Sequence, residues 1–404
     1  MAGPLSHIRV LDLSRILAGP WAGQILADLG ADVVKVERAG AGDDTRGWGP
    51  PFLKDKDGDD TREAGYYLAV NRGKRSIALD LADAEAQRIV HALAAKADIV
   101  LENFKAGTLK KYGLDYEALN AVNPRLIYCS ITGFGQDGPR RDQAAYDFMI
   151  QGMCGLMSVT GEADGKPGAG PQKVGVPIVD LMTGMYGAIA VLAALARRDA
   201  EGHGEYIDIG MLDVGVSFLA NQAMNYLVSG RPPRRAGNAH PNIQPQDVFR
   251  ARDGYLVLAV GNDEQFARFC GVLGRPDLAQ DERFKTNAGR VRNNAILTPI
   301  LAEALAAQDR DHWVEGCARA GVPCGPINTI PEALDDAQVR HRGMRIDIAH
   351  PLSGTVPQVA SPMRFRNAPL AHDRAPPLLG EHSEEILNEL GWTSTDVRVA
   401  TGKK

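Results

Sequence analysis

The chain has 404 residues, which is long enough for two domains and a large buried core. Apolar residues make up 44% of it and charged residues 24%, as in an ordinary globular protein, and the net charge of −5 argues against a general nucleic-acid-binding protein. The five cysteines include no C-x-x-C pair and the nine histidines show no metal-binding spacing, so we expect reduced thiols in a cytoplasmic protein without a metal ion.

The first half of the sequence alternates strand-like and helix-like patterns, which is typical of an α/β fold with a mostly parallel sheet. Strands are predicted at residues 8–13, 32–37, 75–79, 98–101 and 125–131, and helices at residues 21–29 and 84–96, the second capped by Asp83. The Gly/Asp/Pro-rich residues 38–63 are predicted to form one long loop. A loop of that length is usually a functional lid or disordered.

Asp180 is the only charged residue in the stretch 174–196, VGVPIVDLMTGMYGAIAVLAALA. We predict a helix over residues 181–196 with Asp180 at its amino end, where free N–H groups and the helix dipole favour an ionised acid. Sixteen residues span about 24 Å, less than the roughly 30 Å of a bilayer core, so the helix is expected inside the protein and not in a membrane. Asp180 is then either an N-cap or a reactive carboxylate in a dry pocket, and the local pattern fits both.

The second half of the sequence has a different pattern of predicted elements. A strand is predicted at residues 255–260, followed by helices at 264–273, 295–307 and 312–320. The predicted division is a large domain beginning with residues 1–205, a linker at 206–235 and a small domain at 236–330. Residues 331–404 are expected to return to the large domain.

The opening strand–helix–strand unit also suggests a nicotinamide-binding dehydrogenase, with Glu37 as the ribose-binding acid. That hypothesis lacks its G-x-G-x-x-G fingerprint. Arg38, directly after Glu37, suits a phosphorylated adenosine such as that of coenzyme A. No P-loop motif is present, which disfavours an ATP-driven ligase.

A series of motifs resembles the class III CoA-transferase family of the CaiB/BaiF type. They occur in order between residues 10 and 382 and read VLDLSRILAGPWAGQILADLGADVVKVER, NRGKRSIALDL, IVLENFKAGTLKKYGLDYEAL, ITGFGQDGP, the Asp180 segment, GVPCGPIN and PLLGEH.

The resemblance implies a Rossmann-like large domain, a smaller α/β domain and a homodimer of interlocked chains. It implies that Asp180 attacks an acyl-CoA thioester, with coenzyme A as substrate and no tightly bound cofactor or metal. Since a carboxylate is ionised at pH 7, we expect it to need no histidine base. The remaining site residues that the resemblance implies are Leu17, Arg38, Asn103, Phe104, Lys110, Tyr146 and Gly237.

Two alternatives lie within the same superfamily. A 2-methylacyl-CoA racemase would carry a G-H-D segment, but this chain reads Ala145-Tyr146-Asp147. Formyl-CoA:oxalate transferases carry glutamine where this chain has Leu17. The carboxy-terminal half looks more like the succinyl-CoA:dicarboxylate, glutarate-type branch. The candidates for gripping a distal substrate carboxylate are Arg140, Arg141, Arg234 and Arg235.

Overall fold

The computed structural model describes residues 3–370 and 372–392. Its strands are β1 (Arg9–Asp12), β2 (Asp32–Arg38), β3 (Phe52–Lys54), β4 (Asp60–Ala64), β5 (Lys74–Leu79), β6 (Ile99–Glu102), β7 (Ile127–Thr132), β8 (Glu205–Gly210), β9 (Gln246–Arg250), β10 (Tyr255–Ala259), β11 (Cys324–Pro326), β12 (Arg345–His350) and β13 (Gly354–Val359). Its helices are α1 (Ala18–Asp28), α2 (Gly65–Leu68), α3 (Ala84–Lys96), α4 (Tyr116–Val122), α5 (Asp147–Met153), α6 (Leu156–Val159), α7 (Ile178–Glu201), α8 (Met211–Ser217), α9 (Ala220–Ser229), α10 (Asp263–Val272), α11 (Asp277–Gln280), α12 (Asn287–Arg292), α13 (Asn294–Leu305), α14 (Arg310–Arg319), α15 (Ile330–Asp335), α16 (Ala337–His341) and α17 (Ser383–Glu389).

The chain forms two compact units. Of the described residues, the first takes 3–156, 174–220, 337–370 and 372–392, and the second takes 157–173 and 221–336. The predicted linker at 206–235 is wrong, because these residues contribute strand β8 and helices α8 and α9. The alternating pattern of residues 205–210, EYIDIG, is that of a half-buried strand, and it pairs with β7.

A parallel sheet of six strands organises the first unit, in the order β5-β2-β1-β6-β7-β8. Every neighbouring pair in it is parallel. Strands β5, β6 and β7 are buried along their whole length, as expected for a sheet covered on both faces. One apolar cluster centred on α3 and another centred on α1 and α7 form these two cores. Taken in chain order the strands follow the arrangement 3-2-1-4-5-6, which is the Rossmann order.

Apart from the linker, the predicted elements of this unit agree with the structure to within a few residues, except at two places. Helix α3 spans residues 84–96 as predicted, and the Asp83 carboxylate caps it by accepting the N–H of Glu85 at 2.7 Å. The long loop predicted at residues 38–63 is wrong, because the segment contains a 3-10 turn (Asp44–Gly47) and the β3–β4 hairpin. Buried Arg46 anchors it through ion pairs with Glu37 and Glu63 at 2.7 and 2.6 Å.

Helix α7 is the second difference. It covers 24 residues instead of sixteen, and it begins at Ile178, before Asp180. By length and composition alone it could cross a membrane, so the prediction that it is too short is wrong. Its packing is that of a core helix, since it lies against α1, β7 and β8. The approach to α1 requires Gly184, where an added Cβ would lie 2.5 Å from the carbonyl oxygen of Ala18.

The second unit contains an antiparallel sheet in the order β11-β10-β9. The strand predicted at 255–260 is β10, and the three predicted helices are α10, α13 and α14, each displaced by no more than two residues at either end. A separate apolar core joins these elements, with Phe266, Phe269, Phe284, Leu297 and Trp313 among its buried members.

Candidate active site

The sheet changes direction between β1 and β6. The chain proceeds from β1 towards β2 on one side and reaches β6 on the other, and ligands of open α/β sheets bind outside the carboxyl ends of such a strand pair. Residues 14–17 follow β1 there, and Asn103 and Phe104 follow β6. The Asn103 side chain accepts the N–H of Arg15 at 2.8 Å and donates to the carbonyl oxygen of Arg15 at 2.6 Å. The predicted residue Asn103 therefore fixes the loop after β1 from the neighbouring strand.

Buried charges hold the rest of that loop. The N–H of Ser14 donates to Asp12 at 2.9 Å, and Lys35 donates to the carbonyl oxygen of Ser14 at 2.8 Å. The N–H of Ile16 donates to the two carboxylate oxygens of Asp43 at 3.3 and 3.2 Å. Ile16 has a φ of 71°, which is an outlier for a β-branched residue. These hydrogen bonds keep the turn in a conformation that its own sequence disfavours.

The charges below the loop are fully paired. Lys35 and Asp43 lie 2.9 Å apart, and so do Lys74 and Asp12, with all four side chains 0% exposed. Burial by itself would raise the pKa of Asp43, but Lys35 and the hydrogen bonds from Thr45 lower that pKa to about 2. Burial also lowers the pKa of Lys74 to about 8. This network stabilises a rigid base for the switch-point crevice, which is the cleft outside the carboxyl ends of β1 and β6.

Glu37, the acid of the dehydrogenase hypothesis, belongs to the same buried region. It is 2% exposed and accepts hydrogen bonds from Arg46 at 2.7 and 2.8 Å and from Ser76 at 2.6 Å. A carboxylate with these partners has no free face for a ribose. The structure thus removes the remaining support for a nicotinamide site.

Two arginines stand above the crevice. The side chain of Arg38 is 58% exposed and its Nη2 lies 3.6 Å from Asp44, while Nη1 of Arg15 lies 3.0 Å from the same carboxylate. The guanidinium carbon of Arg15 is 5.2 Å from the centroid of the Phe104 ring, within cation–π range. The sequence analysis predicted Arg38 and Phe104 but missed Arg15. Its position directly after a strand of the switch point was the available signal.

The other predicted residues differ in placement. Leu17 is only 4% exposed, so it presents almost no surface of its own to a ligand. Lys110 is exposed on a 3-10 turn, Leu109–Tyr112. Gly237 lies in the second unit, where its φ is 63° and an added Cβ would lie 3.1 Å from the Glu162 carboxylate. Within the described residues, no group of three or more His, Cys, Asp or Glu side chains is arranged to hold a metal ion.

Asp180 lies in the first turn of α7 and is not its cap. Oδ1 of Asp147 accepts the N–H groups of Val179 and Asp180 at 2.8 and 3.2 Å, and Asp147 is itself 8% exposed. Its Oδ2 accepts from Gln151 at 2.6 Å. The prediction of Asp180 as an N-cap is therefore wrong, since the helix begins two residues earlier and another carboxylate takes its free N–H groups.

This arrangement changes the ionisation of Asp180. Burial and the neighbouring Asp147 charge raise its pKa to about 7. The expectation of a fully ionised acid at pH 7 is thus wrong, because the helix-end donors that would have stabilised the anion are already occupied by Asp147. Tyr66 is influenced by the same two carboxylates, because burial and the charges of Asp180 and Asp147 raise the pKa of its phenol.

Asp180 faces the start of α1. It is one helical turn before Gly184, hence on the same face of α7, and Gly184 touches Ala18, the first residue of α1. The loop that carries Arg15 and Leu17 ends at that residue. The nucleophile candidate and the arginine-bearing crevice therefore share one edge of the sheet.

Tyr146 and Trp48 are the exposed aromatics of this region. Tyr146 precedes α5 and is 62% exposed, so it is not a buried structural tyrosine. Trp48 packs edge-on against Tyr66 with ring centroids 5.1 Å apart. Tyr146 is thus the residue before Asp147, and Trp48 contacts the tyrosine whose pKa the charges of Asp180 and Asp147 raise.

Comparison with known proteins agrees with this geometry. Residues 5–383 match the model of the family described as CoA-transferase family III. A succinate–glutarate CoA-transferase of Agrobacterium fabrum is 51% identical over 387 residues, 96% of each chain, and an acetyl-CoA:oxalate CoA-transferase of Acetobacter aceti is 39% identical over 388 residues, also 96% of each. The crystal structure of a CaiB/BaiF family protein from Brucella suis superimposes with a TM-score of 0.86 at 50% identity, covering 96% of this chain and 100% of that one. The chain belongs to CoA-transferase family III and is a CoA-transferase.

Proposed function

We propose that this enzyme transfers CoA from succinyl-CoA to a dicarboxylic acid of the glutarate type, with the Asp180 carboxylate carrying the covalent intermediates. The observation that carries the proposal is the environment of Asp180. It is a partly buried acid, and the charged group that shifts its pKa is another carboxylate, that of Asp147. An acid kept in such surroundings is a functional-site candidate, because a structural acid is usually paired with a cation or held by hydrogen bonds, as Asp147 is.

The chemistry balances without ATP or metal. The Asp180 carboxylate adds to the thioester carbonyl and expels CoA as a thiolate, which leaves a mixed acyl anhydride. The CoA thiolate attacks the aspartyl carbonyl of the anhydride, releasing the free acid and forming an aspartyl-CoA thioester. The acceptor carboxylate then attacks that thioester, and the steps run in reverse to release the new acyl-CoA and the free Asp180 carboxylate.

The raised pKa of Asp180 affects its reactivity in two opposite ways. At a pH near 7 part of the Asp180 population is protonated and unreactive. The ionised fraction is poorly solvated and more basic than an ordinary aspartate, and nucleophilic strength rises with basicity. The same dry environment protects both activated intermediates from hydrolysis.

The switch-point crevice supports CoA binding. Arg15 and Arg38 share a single counter-ion, Asp44, and thus have capacity for phosphate oxygens. Arg38, at the end of β2, is proposed to bind the 3′-phosphate of the adenosine, as the sequence suggested. Phe104 provides an apolar face beside Arg15, and Lys110 is a further exposed cation after β6.

The four arginine candidates for the distal carboxylate are not equivalent. Arg235 is committed to Asp164, and its side chain is only 15% exposed, whereas the neighbouring Arg234 is exposed. Arg141 lies 3.6 Å from Asp142, and Arg140 donates to Gln143 at 3.1 Å, both on the exposed loop that leads to Asp147. We propose Arg140 and Arg141 over Arg235, because a partly solvated arginine loses less on changing partner.

The homodimer remains a proposal that the exposed face of the first unit supports. Large apolar side chains on α5 and α7 are open to solvent, namely Tyr146, Phe148, Met149, Met185, Tyr186 and Ile189. Helices α5 and α7 pack against each other, and exposed apolar side chains grouped on neighbouring helices are typical of an interface. A second copy of the chain, interlocked with the first as the family resemblance implies, would cover it; light scattering should give twice the 43.4 kDa chain mass. The cytoplasmic location stays a prediction.

Assays of purified enzyme test the activity. We expect kcat/KM for succinyl-CoA with C4–C6 dicarboxylates to exceed that for formyl-CoA with oxalate, because Leu17 offers no hydrogen bond to a small dianion. A preference for the oxalate pair would refute the substrate class while leaving the mechanism at Asp180 intact. Hydroxylamine trapping during turnover should label the peptide that contains Asp180.

The racemase alternative has its own measurement. Tyr146 stands where that branch carries its histidine, so 2-methylacyl-CoA should exchange its α-proton slowly in heavy water. Exchange as fast as CoA transfer would favour the racemase instead.

A further inference from the structure

The GVPCGPIN motif belongs to the second unit and follows helix α14. Gly321 follows the helix with a φ of 65°. The N–H of Val322 donates to the carbonyl oxygen of Cys317 at 2.9 Å, and the N–H of Gly321 donates to that of Ala318 at 3.1 Å. These two bonds form a Schellman motif, which reverses the chain directly after the helix. Strand β11 therefore begins beside the last turn of α14.

That reversal brings two cysteines together. Cys317 lies in the last turn of α14 and is 0% exposed, while Cys324 is the first residue of β11 and is partly exposed. Both belong to the core of the second unit, Cys317 as a buried member and Cys324 packed against it. Helix α14 and strand β11 are in contact, and the interaction between the two thiols lowers the pKa of Cys324 and raises that of Cys317.

The other three cysteines have different surroundings. Cys129, Cys154 and Cys270 are all buried. Burial raises the pKa of Cys129 and of Cys270 to about 12, and it raises the pKa of Cys154 as well. Thiolate character and access to solvent together decide which cysteine reacts. Cys324 alone among the five combines both with a neighbouring thiol.

We propose that Cys317 and Cys324 form a redox-active dithiol that a peroxide converts into an intramolecular disulfide. The Cys324 thiolate attacks one peroxide oxygen and displaces the other, which leaves as water after protonation, and Cys324 becomes a sulfenic acid. The Cys317 sulfur, losing its proton, then attacks the Cys324 sulfur and displaces the hydroxyl group as water. Two thiols and one peroxide thus yield one disulfide and two waters. A dithiol reductant reverses the change by exchange.

Peptide mapping of the native enzyme tests this site. Trypsin cleaves after Arg310, Arg319 and Arg340, so the two cysteines fall on different peptides, residues 311–319 and 320–340. After brief treatment with hydrogen peroxide and blocking with N-ethylmaleimide, these peptides should be joined and should separate on reduction. The protein should run as a monomer on a non-reducing denaturing gel, because the bond lies within one chain.

Cysteine variants distinguish the proposed disulfide from non-specific oxidation of thiols. Cys324→Ser should abolish the linked peptide and leave Cys317 unoxidised, since the attacking group is gone. Cys317→Ser should stop the reaction at the sulfenic acid, which dimedone would label on residues 320–340. Cys270→Ser, a change in the same core, should leave the linked peptide unchanged.

Two results would overturn the proposal. One is a wild-type protein whose Cys324 goes to sulfinic acid without any linked peptide. The other is a Cys324→Ser protein, folded by circular dichroism, whose remaining thiols consume peroxide as fast as those of the wild type. If Cys317→Ser fails to fold, the Cys324→Ser and wild-type results decide by themselves, because Cys324 is partly exposed and its replacement leaves the buried core intact.

Discussion

Two sets of buried aspartates lie at the carboxyl edge of the same parallel sheet, and they differ in their partners. Asp12 and Asp43 each contact a buried lysine, and those lysines outweigh burial and lower the pKa of both acids. Asp180 has a carboxylate for a neighbour, and its pKa rises to about 7. All three acids are withdrawn from solvent, Asp12 and Asp43 fully and Asp180 in part. The sign of the nearest charge therefore distinguishes the acids that hold the fold from the acid available for chemistry.

The difference between the two sets of aspartates should have its largest effect at Asp180. Asp180→Asn keeps the size of the side chain but removes the nucleophile, and we expect kcat for CoA transfer to fall by about 10⁴-fold or more. Asp199→Asn, on the same helix with a side chain that is 70% exposed, is the matched control and should keep full activity. An Asp180→Asn protein that transfers CoA at an appreciable rate would show that Asp180 is not the nucleophile.

Removing a lysine from the paired set should affect stability instead. Lys74→Met leaves Asp12 buried with a weaker counter-charge, and we expect the free energy of unfolding to fall by about 3 kcal/mol. Lys54→Met removes an exposed partner of Asp60 and should change stability little. Urea denaturation followed by circular dichroism measures both. Equal losses for the two variants would contradict the structural role of the buried pair.

Arg38 represents a third kind of charge at this edge, one that is solvated and weakly paired. Arg38→Ala should weaken CoA binding by about tenfold, the value of one charge-assisted contact to phosphate. Binding of dephospho-CoA should change much less, because it lacks the 3′-phosphate. Calorimetric titration compares the two ligands, and an equal loss for both would move Arg38 to the diphosphate.

The sequence was sufficient for five of the six strands of the parallel sheet, because each contains a short apolar run, but β8 falls in the segment predicted to be a linker. It was also sufficient for Asp180, whose charge is isolated in an apolar stretch. It missed Arg15, whose place in the site depends on the pairing of β1 with β6, and Tyr66, which has no local pattern and is connected to the site through the charges of Asp180 and Asp147. It gave the wrong structure for residues 38–63, because the ion pairs of Arg46 that order this segment connect residues far apart in sequence.

The ionisation of Asp180 is the clearest case of a property that the local sequence does not predict. A helix start predicts a stabilised anion, but the donors at this helix start bind Asp147, more than thirty residues earlier in the chain. No pattern within residues 174–196 reveals that competition. Only the tertiary contact does.

The raised pKa should also appear as a stability effect of opposite sign to that of the paired acids. The folded-state pKa of Asp180, about 7, lies above the unfolded value of about 3.9. The native chain therefore binds more protons than the unfolded chain between these pH values, and Asp180 destabilises the fold increasingly as the pH rises through this window. Asp180→Asn should be more stable than the wild type at pH 8, by about 1 kcal/mol, and equal to it at pH 4. Thermal unfolding at the two pH values measures the difference, and a variant less stable at pH 8 would contradict the assigned environment.

The smallest effect concerns the charge that Asp147 imposes on Asp180. CoA transfer should lose kcat/KM as the pH falls through about 7, because the Asp180 carboxylate becomes protonated. Asp147→Asn keeps an oxygen for the N–H groups of Val179 and Asp180 but removes the negative charge, so the acid limb of the pH profile should move down by about half a pH unit. The shift is modest because burial, the larger cause of the raised pKa, is unchanged. Gln151→Ala is the control, since it deletes the hydrogen bond to Asp147 and leaves its charge, and its acid limb should not move down. If both variants shift the limb equally, the geometry of the helix start, and not the charge of Asp147, sets the ionisation of the nucleophile.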